Sequence, residues 1–141
     1  MATTRNASTH WEGTLFEGAG KVTLDSSGTG TFDVSWASRA EDANGKTSPE
    51  ELIAAAHSSC FSMALSNGLA KAGTPATSLD TSAAVDFVPG TGITEIRLTV
   101  KGVVEGISSE DFVAAATAAK EGCPVSQALA AVPIKLEASL G

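Results

Sequence analysis

The chain has 141 residues, of which 43% are hydrophobic and only 5% aromatic, so one domain with an aliphatic, alanine-rich core is expected. Its formal net charge is −7, and its nine lysine and arginine residues are scattered along the sequence. This charge pattern argues against a protein that binds nucleic acid or anionic membrane surfaces.

The location of the protein is predicted from what the sequence lacks. The N-terminal residues do not follow the basic-then-apolar pattern of a secretion signal, and no run of about 18 apolar residues is long enough to span a bilayer. We therefore expect a cytoplasmic protein. In that reducing setting a structural disulfide between the only two cysteines, Cys60 and Cys123, is not expected.

The first part of the chain is predicted to form a small antiparallel sheet. Residues 1–9 are polar and are expected to be frayed. Residues 10–36 then form a three-stranded meander with glycine-rich turns, and its strands are predicted at 11–16, 21–25 and 32–36. So small a sheet is marginally stable by itself and needs a cover for its apolar face. The next residues, 38–46, are predicted to be a polar loop that carries Arg39.

A long central helix is predicted to follow this loop. Ser48 is its expected N-cap, Pro49 suits the first helical position, and Glu51 completes a capping box. Gly73 is the expected C-terminal stop, which leaves roughly 24 residues, or about 36 Å of helix. Because the segment is apolar on nearly every side, we expect it to be buried centrally or against a partner chain. Cys60 lies in its middle.

The rest of the chain completes an α+β fold. The patterns predict a strand at 79–88, a strand at 93–105, a helix from Ser108 to Gly122, a short helix after Cys123, and a strand at 134–140. Strands and helices in this order favour antiparallel sheets over an alternating parallel fold. We interpret residues 1–141 as one domain, in which residues 48–141 supply the helices and the second sheet.

The two cysteines are the best candidates for chemistry. Neither belongs to a CxxC motif, so zinc binding is not indicated. A free thiol with a pKa of about 8.5 is only about 3% thiolate at pH 7, and lowering that pKa by about two units requires roughly 2.7 kcal/mol of charge interaction. A desolvated guanidinium held by a carboxylate can supply this, and Arg39 with Glu50 is such a pair in principle.

The spacing restricts how this pair could act on Cys60. Glu50 is ten residues before Cys60, or about 15 Å along one helix and on a different face. Either Arg39 spans the gap, or the pair reaches the thiol of a neighbouring subunit, and we favour a site at a homodimer interface. His57 shares the helical side of Cys60, but it is interpreted as a packing residue.

Two motifs give the chain a family resemblance. SPEELIAAAHSSCFSMAL at 48–65 and GCPVSQAL at 122–129, together with HWEG at 10–13 and an arginine after the third strand, resemble the OsmC/Ohr family of bacterial thiol peroxidases. The similarity is greatest to the OsmC branch and extends from His10 to Leu140.

The resemblance implies an OsmC-like intertwined homodimer whose antiparallel sheets pack around the long helix. It implies a cytoplasmic antioxidant enzyme of the stress response that reduces organic hydroperoxides. Hydrogen peroxide would be a further substrate. Cys60 would be the peroxidatic residue, Cys123 the resolving residue that forms a redox-active disulfide, and Arg39 with Glu50 the activating ion pair. No haem, flavin or metal is expected, and an external dithiol would supply the electrons.

Two other functions are consistent with the same residues. A thiol redox sensor would oxidise the same cysteines once and then stop, and a non-catalytic dimer that binds small apolar ligands would use them only for packing. The physiological peroxide, the natural reductant, the inducing stress, the resting state of the two sulfurs and the subunit that supplies Arg39 and Glu50 are left open by the sequence.

Overall fold

Six strands and four helices make up the computed structural model, which describes residues 1–141. In chain order they are β1 (Ser8–Glu12), β2 (Ala19–Thr23), β3 (Thr31–Val34), α1 (Trp36–Ala40), α2 (Pro49–Lys71), β4 (Ala76–Val88), β5 (Gly92–Val104), α3 (Ser109–Gly122), α4 (Pro124–Ala128) and β6 (Ile134–Leu140). They divide into two units, residues 1–52 and residues 53–141, with the boundary inside α2.

The first unit contains the predicted three-stranded meander. Its strands pair in the order β1-β2-β3, and both pairs are antiparallel. β1 begins at Ser8, within the stretch predicted to be frayed. The predicted polar loop also begins with a helix, α1. It forms because Ser35 and Ser38 make a reciprocal capping box, in which each side chain accepts the backbone N–H of the other. Arg39 therefore lies on a helix rather than in a loop.

Helix α2 begins and ends where the sequence predicts. The Ser48 hydroxyl accepts the N–H of Glu51 at 3.2 Å, while the carboxylate of Glu51 accepts a hydrogen bond from the Thr47 hydroxyl. The helix runs through Gly68 without a break. Gly73, at φ +87°, follows its end in the left-handed conformation that glycine adopts without strain.

The second-unit part of α2 buries one face only. Every fourth residue is inaccessible to solvent, and this buried row is His57, Phe61, Leu65 and Leu69. Met63, on another side of the helix, is 71% exposed. In the single chain the helix is therefore not buried on all sides, and burial against a partner chain, the other expected alternative, stays a prediction.

The second sheet has the order β4-β5-β6 and packs its buried face into the main core. Alternate residues of β5 are buried on that face, and these are Ile96, Leu98 and Val100. β4 and β5 are antiparallel, but β6 is parallel to β5. The α3–α4 segment is the crossover that a parallel pair requires. The α+β class is thus observed, with one parallel pair within the second sheet. No helix is both long enough and apolar enough to cross a membrane.

Candidate active site

The two cysteines of the second unit lie side by side. Cys60 comes from the middle of α2 and is partly exposed, whereas Cys123 comes directly before α4 and is fully buried. Both are free thiols, and each affects the pKa of the other. Cys60 packs against the core cluster that contains Cys123, so the structure brings the two predicted redox residues together.

The backbone around Cys123 fixes the position of its sulfur. This residue ends α3 and begins α4: its N–H donates to Ala119 at 2.9 Å, and its carbonyl accepts from Gln127 at 3.0 Å. Pro124 occupies the first turn of α4, where its fixed φ suits a helix start and no N–H is needed. With backbone bonds on both sides, Cys123 is held rigidly between the two helices.

The surroundings of Cys123 favour its thiolate. Burial raises the pKa of this thiol, but the N–H groups of Ser126 and Val125, the Ser126 hydroxyl and the S–H of Cys60 together bring the pKa below its ordinary value. The sulfur does not make a regular N-cap hydrogen bond. Groups that donate hydrogen bonds to a thiolate nevertheless lower the pKa of its thiol.

The pKa of Cys60 moves in the opposite direction. Burial raises it first, and the hydrogen bond to Cys123 and the negative charge of that sulfur raise it further, while the N–H of Val125 lowers it. In the single chain the pKa of Cys123 is therefore lower than that of Cys60. This differs from the expectation that Cys60 rests as the thiolate, because the anion-stabilising groups of α4 lie mainly around Cys123.

A buried histidine adjoins the thiol pair. His57 is fully buried, as its interpretation as a packing residue implies, but its Nε2 lies 2.7 Å from the Oγ of Ser126, which is also buried. Burial lowers the pKa of His57, so the ring is neutral near pH 7. Its Nδ1 has no hydrogen-bond partner, which costs about 1–3 kcal/mol for a buried polar atom.

Arg39 and Glu50 form the ion pair that the sequence predicts, within the first unit. Nε of Arg39 donates to Oε1 of Glu50 at 3.0 Å and to Oε2 at 3.2 Å, and Nη2 lies 2.9 Å from Oε1. The side chain of Glu50 is only 7% exposed and that of Arg39 is 32% exposed. This fork-to-fork geometry fixes the guanidinium plane.

Arg39 also borders an apolar cavity of about 350 Å³ in the first unit. Its walls include two tryptophans and several aliphatic side chains from β1, β2, the turn between them, α1 and the start of α2: Trp11, Leu15, Val22, Trp36, Pro49 and Leu52. An apolar cavity with one charged group at its border is a common form of small-molecule site. No cluster of three or more histidine, cysteine or acidic side chains is arranged to hold a metal ion.

Sequence reasoning missed one residue of this site, Ser126. Its signal was available, because a side chain three residues after Cys123 lies one helical turn away, on the same face. Serine is also a common residue in such a first turn, however, and nothing in the sequence indicates that His57 would reach it from α2.

Comparison with known proteins finds relatives along most of the chain. The family described as OsmC-like protein matches residues 41–137. Peroxiredoxin OsmC of Escherichia coli (strain K12) is 42% identical over 134 residues, which cover 93% of each chain, and Peroxiredoxin OsmC of Shigella flexneri matches equally well.

Solved structures match the fold along nearly the whole chain. An organic hydroperoxide resistance protein OsmC from Legionella pneumophila has a TM-score of 0.71 at 23% identity, covering 99% of this chain and 98% of that one. The organic hydroperoxide resistance protein OhrB of Bacillus subtilis has a TM-score of 0.69 at 24% identity, covering 95% and 98%. At these identities the structural likeness shows the fold.

Proposed function

Since this chain belongs to the OsmC-like family, we propose that it is a cysteine-based peroxidase that reduces organic hydroperoxides to alcohols, and hydrogen peroxide to water. The observation that supports this most is that Cys60 packs against the core cluster containing Cys123, which lies at the start of α4. Two adjacent thiols, one partly exposed and one buried, are what a reaction through a sulfenic acid and a disulfide requires.

The first step is the attack of Cys60 on the distal oxygen of the hydroperoxide. The proton of the Cys60 thiol moves to the Cys123 thiolate, which leaves Cys60 as the nucleophilic thiolate. Its sulfur bonds the distal oxygen, the O–O bond breaks, and the alkoxide takes the proton from Cys123 to leave as an alcohol. Cys60 is now a sulfenic acid, two electrons have passed to the substrate, and Cys123 is again a thiolate.

The second step forms the disulfide. The thiolate of Cys123 attacks the sulfur of the Cys60 sulfenic acid, the S–O bond breaks, and the hydroxide that leaves takes a proton from solvent to become water. An external dithiol then reduces the Cys60–Cys123 disulfide by thiol exchange and is itself oxidised to a disulfide. A dithiol is kept reduced in the cytoplasm, which is where we place the enzyme.

Arg39 and Glu50 complete the proposal as an activating pair. Burial and the neighbouring Cys123 raise the pKa of Cys60 in the single chain, so the attacking thiolate needs a further positive charge to stabilise it. The forked bonds to Glu50 hold the Arg39 guanidinium at a fixed angle for this role. We propose that the active enzyme is a homodimer and that Arg39 acts on Cys60 there.

Exposed apolar side chains support the dimer. Large hydrophobic residues remain accessible in both units of the single chain, among them Trp11, Phe16, Phe32, Met63 and Val113. Apolar surface of this kind is stabilised by burial against a second copy. The apolar cavity that Arg39 borders supports organic hydroperoxides as the preferred substrates, because it would accept an alkyl or aryl group.

Steady-state consumption of cumene hydroperoxide in the presence of dithiothreitol tests the proposed function. We expect many turnovers per chain, with one alcohol formed for each hydroperoxide consumed. A redox sensor would react about once per site and stop. A ligand-binding protein would not consume hydroperoxide above the rate of dithiothreitol alone, and either of these results would refute the proposal.

Replacing Arg39 with alanine should slow the first step without preventing it. If the guanidinium lowers the pKa of Cys60 by about two units, its loss reduces the thiolate fraction and the rate of sulfenic acid formation about 25-fold at pH 7. Rapid mixing with hydroperoxide under reductant-free conditions measures this rate. Arg39→Lys, which keeps the charge but loses the forked bonds, should give an intermediate rate.

Two controls accompany this prediction. Arg97→Ala removes an exposed arginine that is also held by two carboxylates, Asp86 and Glu95, and should react at the wild-type rate. Arg39→Ala leaves the buried carboxylate of Glu50 unpaired, which destabilises the fold. Arg39→Ala/Glu50→Gln removes that charge as well, so a slow first step in the double variant reports a loss of activation and not a loss of stability. A wild-type rate in the folded Arg39→Ala variant would exclude the activating role.

A further inference from the structure

The hydrogen bond between His57 and Ser126 joins two buried polar side chains from different helices. His57 is fully buried and Ser126 is 5% exposed, and their Nε2 and Oγ atoms are 2.7 Å apart. An apolar residue would fill the position of His57 without leaving Nδ1 unpaired. Packing alone therefore does not explain the hydrogen bond between His57 and Ser126.

The direction of the bonds follows from the partners. Ser126 lies in the first turn of α4, three residues after Cys123, so its hydroxyl is placed to donate to the Cys123 sulfur, and its oxygen is then left to accept from Nε2–H of His57. That assigns the neutral Nε2–H tautomer to His57. Nδ1 is then a lone pair, which is consistent with its lack of a partner. The three groups form a directed chain from the imidazole through the hydroxyl to the sulfur.

We infer that His57 and Ser126 are positioning residues for Cys123. His57 fixes the Ser126 hydroxyl, and that hydroxyl orients and stabilises the Cys123 thiolate. The inference rests on the proposed function for its consequence, since an oriented thiolate is what attacks the Cys60 sulfenic acid. It adds two residues, neither of them a predicted site residue, to the thiol pair.

This arrangement also affects the redox equilibrium. The hydroxyl bond stabilises the reduced state, in which Cys123 carries a negative charge, and does little for the uncharged disulfide. Stabilising the reduced form of a dithiol raises its reduction potential. Loss of the bond should therefore make the Cys60–Cys123 disulfide harder to reduce. A tenfold change in that equilibrium corresponds to about 30 mV for a two-electron couple.

Thiolate titration tests the inference independently of peroxidase activity. In a Cys60→Ser background Cys123 is the only thiol, and ultraviolet absorbance of the thiolate against pH gives its pKa. Ser126→Ala and His57→Leu should each raise this pKa by about one unit, which is the effect of one lost hydrogen bond to an anion. Ser126→Thr keeps a hydroxyl and His57→Gln keeps an N–H donor, so both should restore a pKa close to that of the background.

Matched controls come from exposed residues of the same types. Ser109→Ala changes a serine in the first turn of α3, and His10→Gln changes the only other histidine, which lies exposed in β1. Neither should move the Cys123 titration. If Ser126→Ala and His57→Leu also leave it unmoved while folding normally, the inference is overturned.

Two further measurements connect the inference to turnover. With Cys60 intact, Ser126→Ala should form the disulfide from the Cys60 sulfenic acid about tenfold more slowly, and its reduction potential should fall by about 30 mV. The rate of Cys60 oxidation reports the proposed function separately. Absence of that oxidation in wild type would refute the peroxidase, whereas unchanged disulfide formation and potential in Ser126→Ala would refute the positioning role.

Discussion

Replacing Cys60 with serine should reduce hydroperoxide consumption to the uncatalysed background. Serine has nearly the same size, so the packing around position 60 in α2 is retained, but its hydroxyl is neutral at pH 7. It is also unable to accept the distal oxygen and pass on two electrons as a thiolate does. Steady-state consumption of cumene hydroperoxide with dithiothreitol measures the loss, and the expected residual rate equals that of the dithiol alone.

Ser59→Ala is the matched control for this variant. Ser59 is the neighbouring residue on α2, is exposed, and donates its hydroxyl only to the carbonyl of Ala56 at 3.0 Å. It should turn over hydroperoxide at the wild-type rate. Consumption by Cys60→Ser at the wild-type rate would show that the sulfur of Cys60 is a packing group, as in a non-catalytic ligand-binding protein.

Replacing Cys123 with serine should separate the two chemical steps. Cys60 still reacts once with a hydroperoxide, but no neighbouring thiolate is present to displace the hydroxide from its sulfenic acid. The sulfenic acid should accumulate and be trapped by a dimedone reagent, and excess hydroperoxide should oxidise it further to the sulfinic acid. Turnover should fall about tenfold or more, because reduction of Cys60 then depends on a bimolecular encounter with the reductant.

The control for Cys123→Ser must address its burial. Cys123 belongs to the main core and is inaccessible to solvent, so the variant should first be shown to unfold cooperatively near the wild-type temperature. A folded Cys123→Ser protein that turns over at the wild-type rate, without a trappable sulfenic acid, would remove Cys123 from the reaction.

The elements of this fold were largely predictable where local chemistry decides them. Ser48 and Gly73 mark the ends of α2 because capping and left-handed backbone preferences act over a few residues. The last strand, Ile134–Leu140, was predicted at its observed bounds, since its alternation of apolar and polar residues needs no other segment to be recognised. That β6 lies parallel to β5 depends on the crossover between them, which periodicity does not report.

The site was predicted only in part, for the same reason. The sequence indicates Arg39 and Glu50 as partners because Arg39 precedes α2 and Glu50 lies in its first turn, and the structure confirms their bond. The contact between Cys60 and Cys123 was expected only through the family resemblance, since their separation in sequence is too large for any local rule. The bond from His57 to Ser126 likewise depends on how α4 packs against α2.

The central claim is that the sulfurs of Cys60 and Cys123 act together as one redox pair. The most direct test is to treat the reduced protein with one equivalent of cumene hydroperoxide and to analyse its peptides by mass spectrometry under non-reducing conditions. The account predicts one equivalent of alcohol and a single linked peptide pair joined by a Cys60–Cys123 disulfide. Two unmodified cysteines, with the oxygen transferred instead to the exposed Met63, would contradict it.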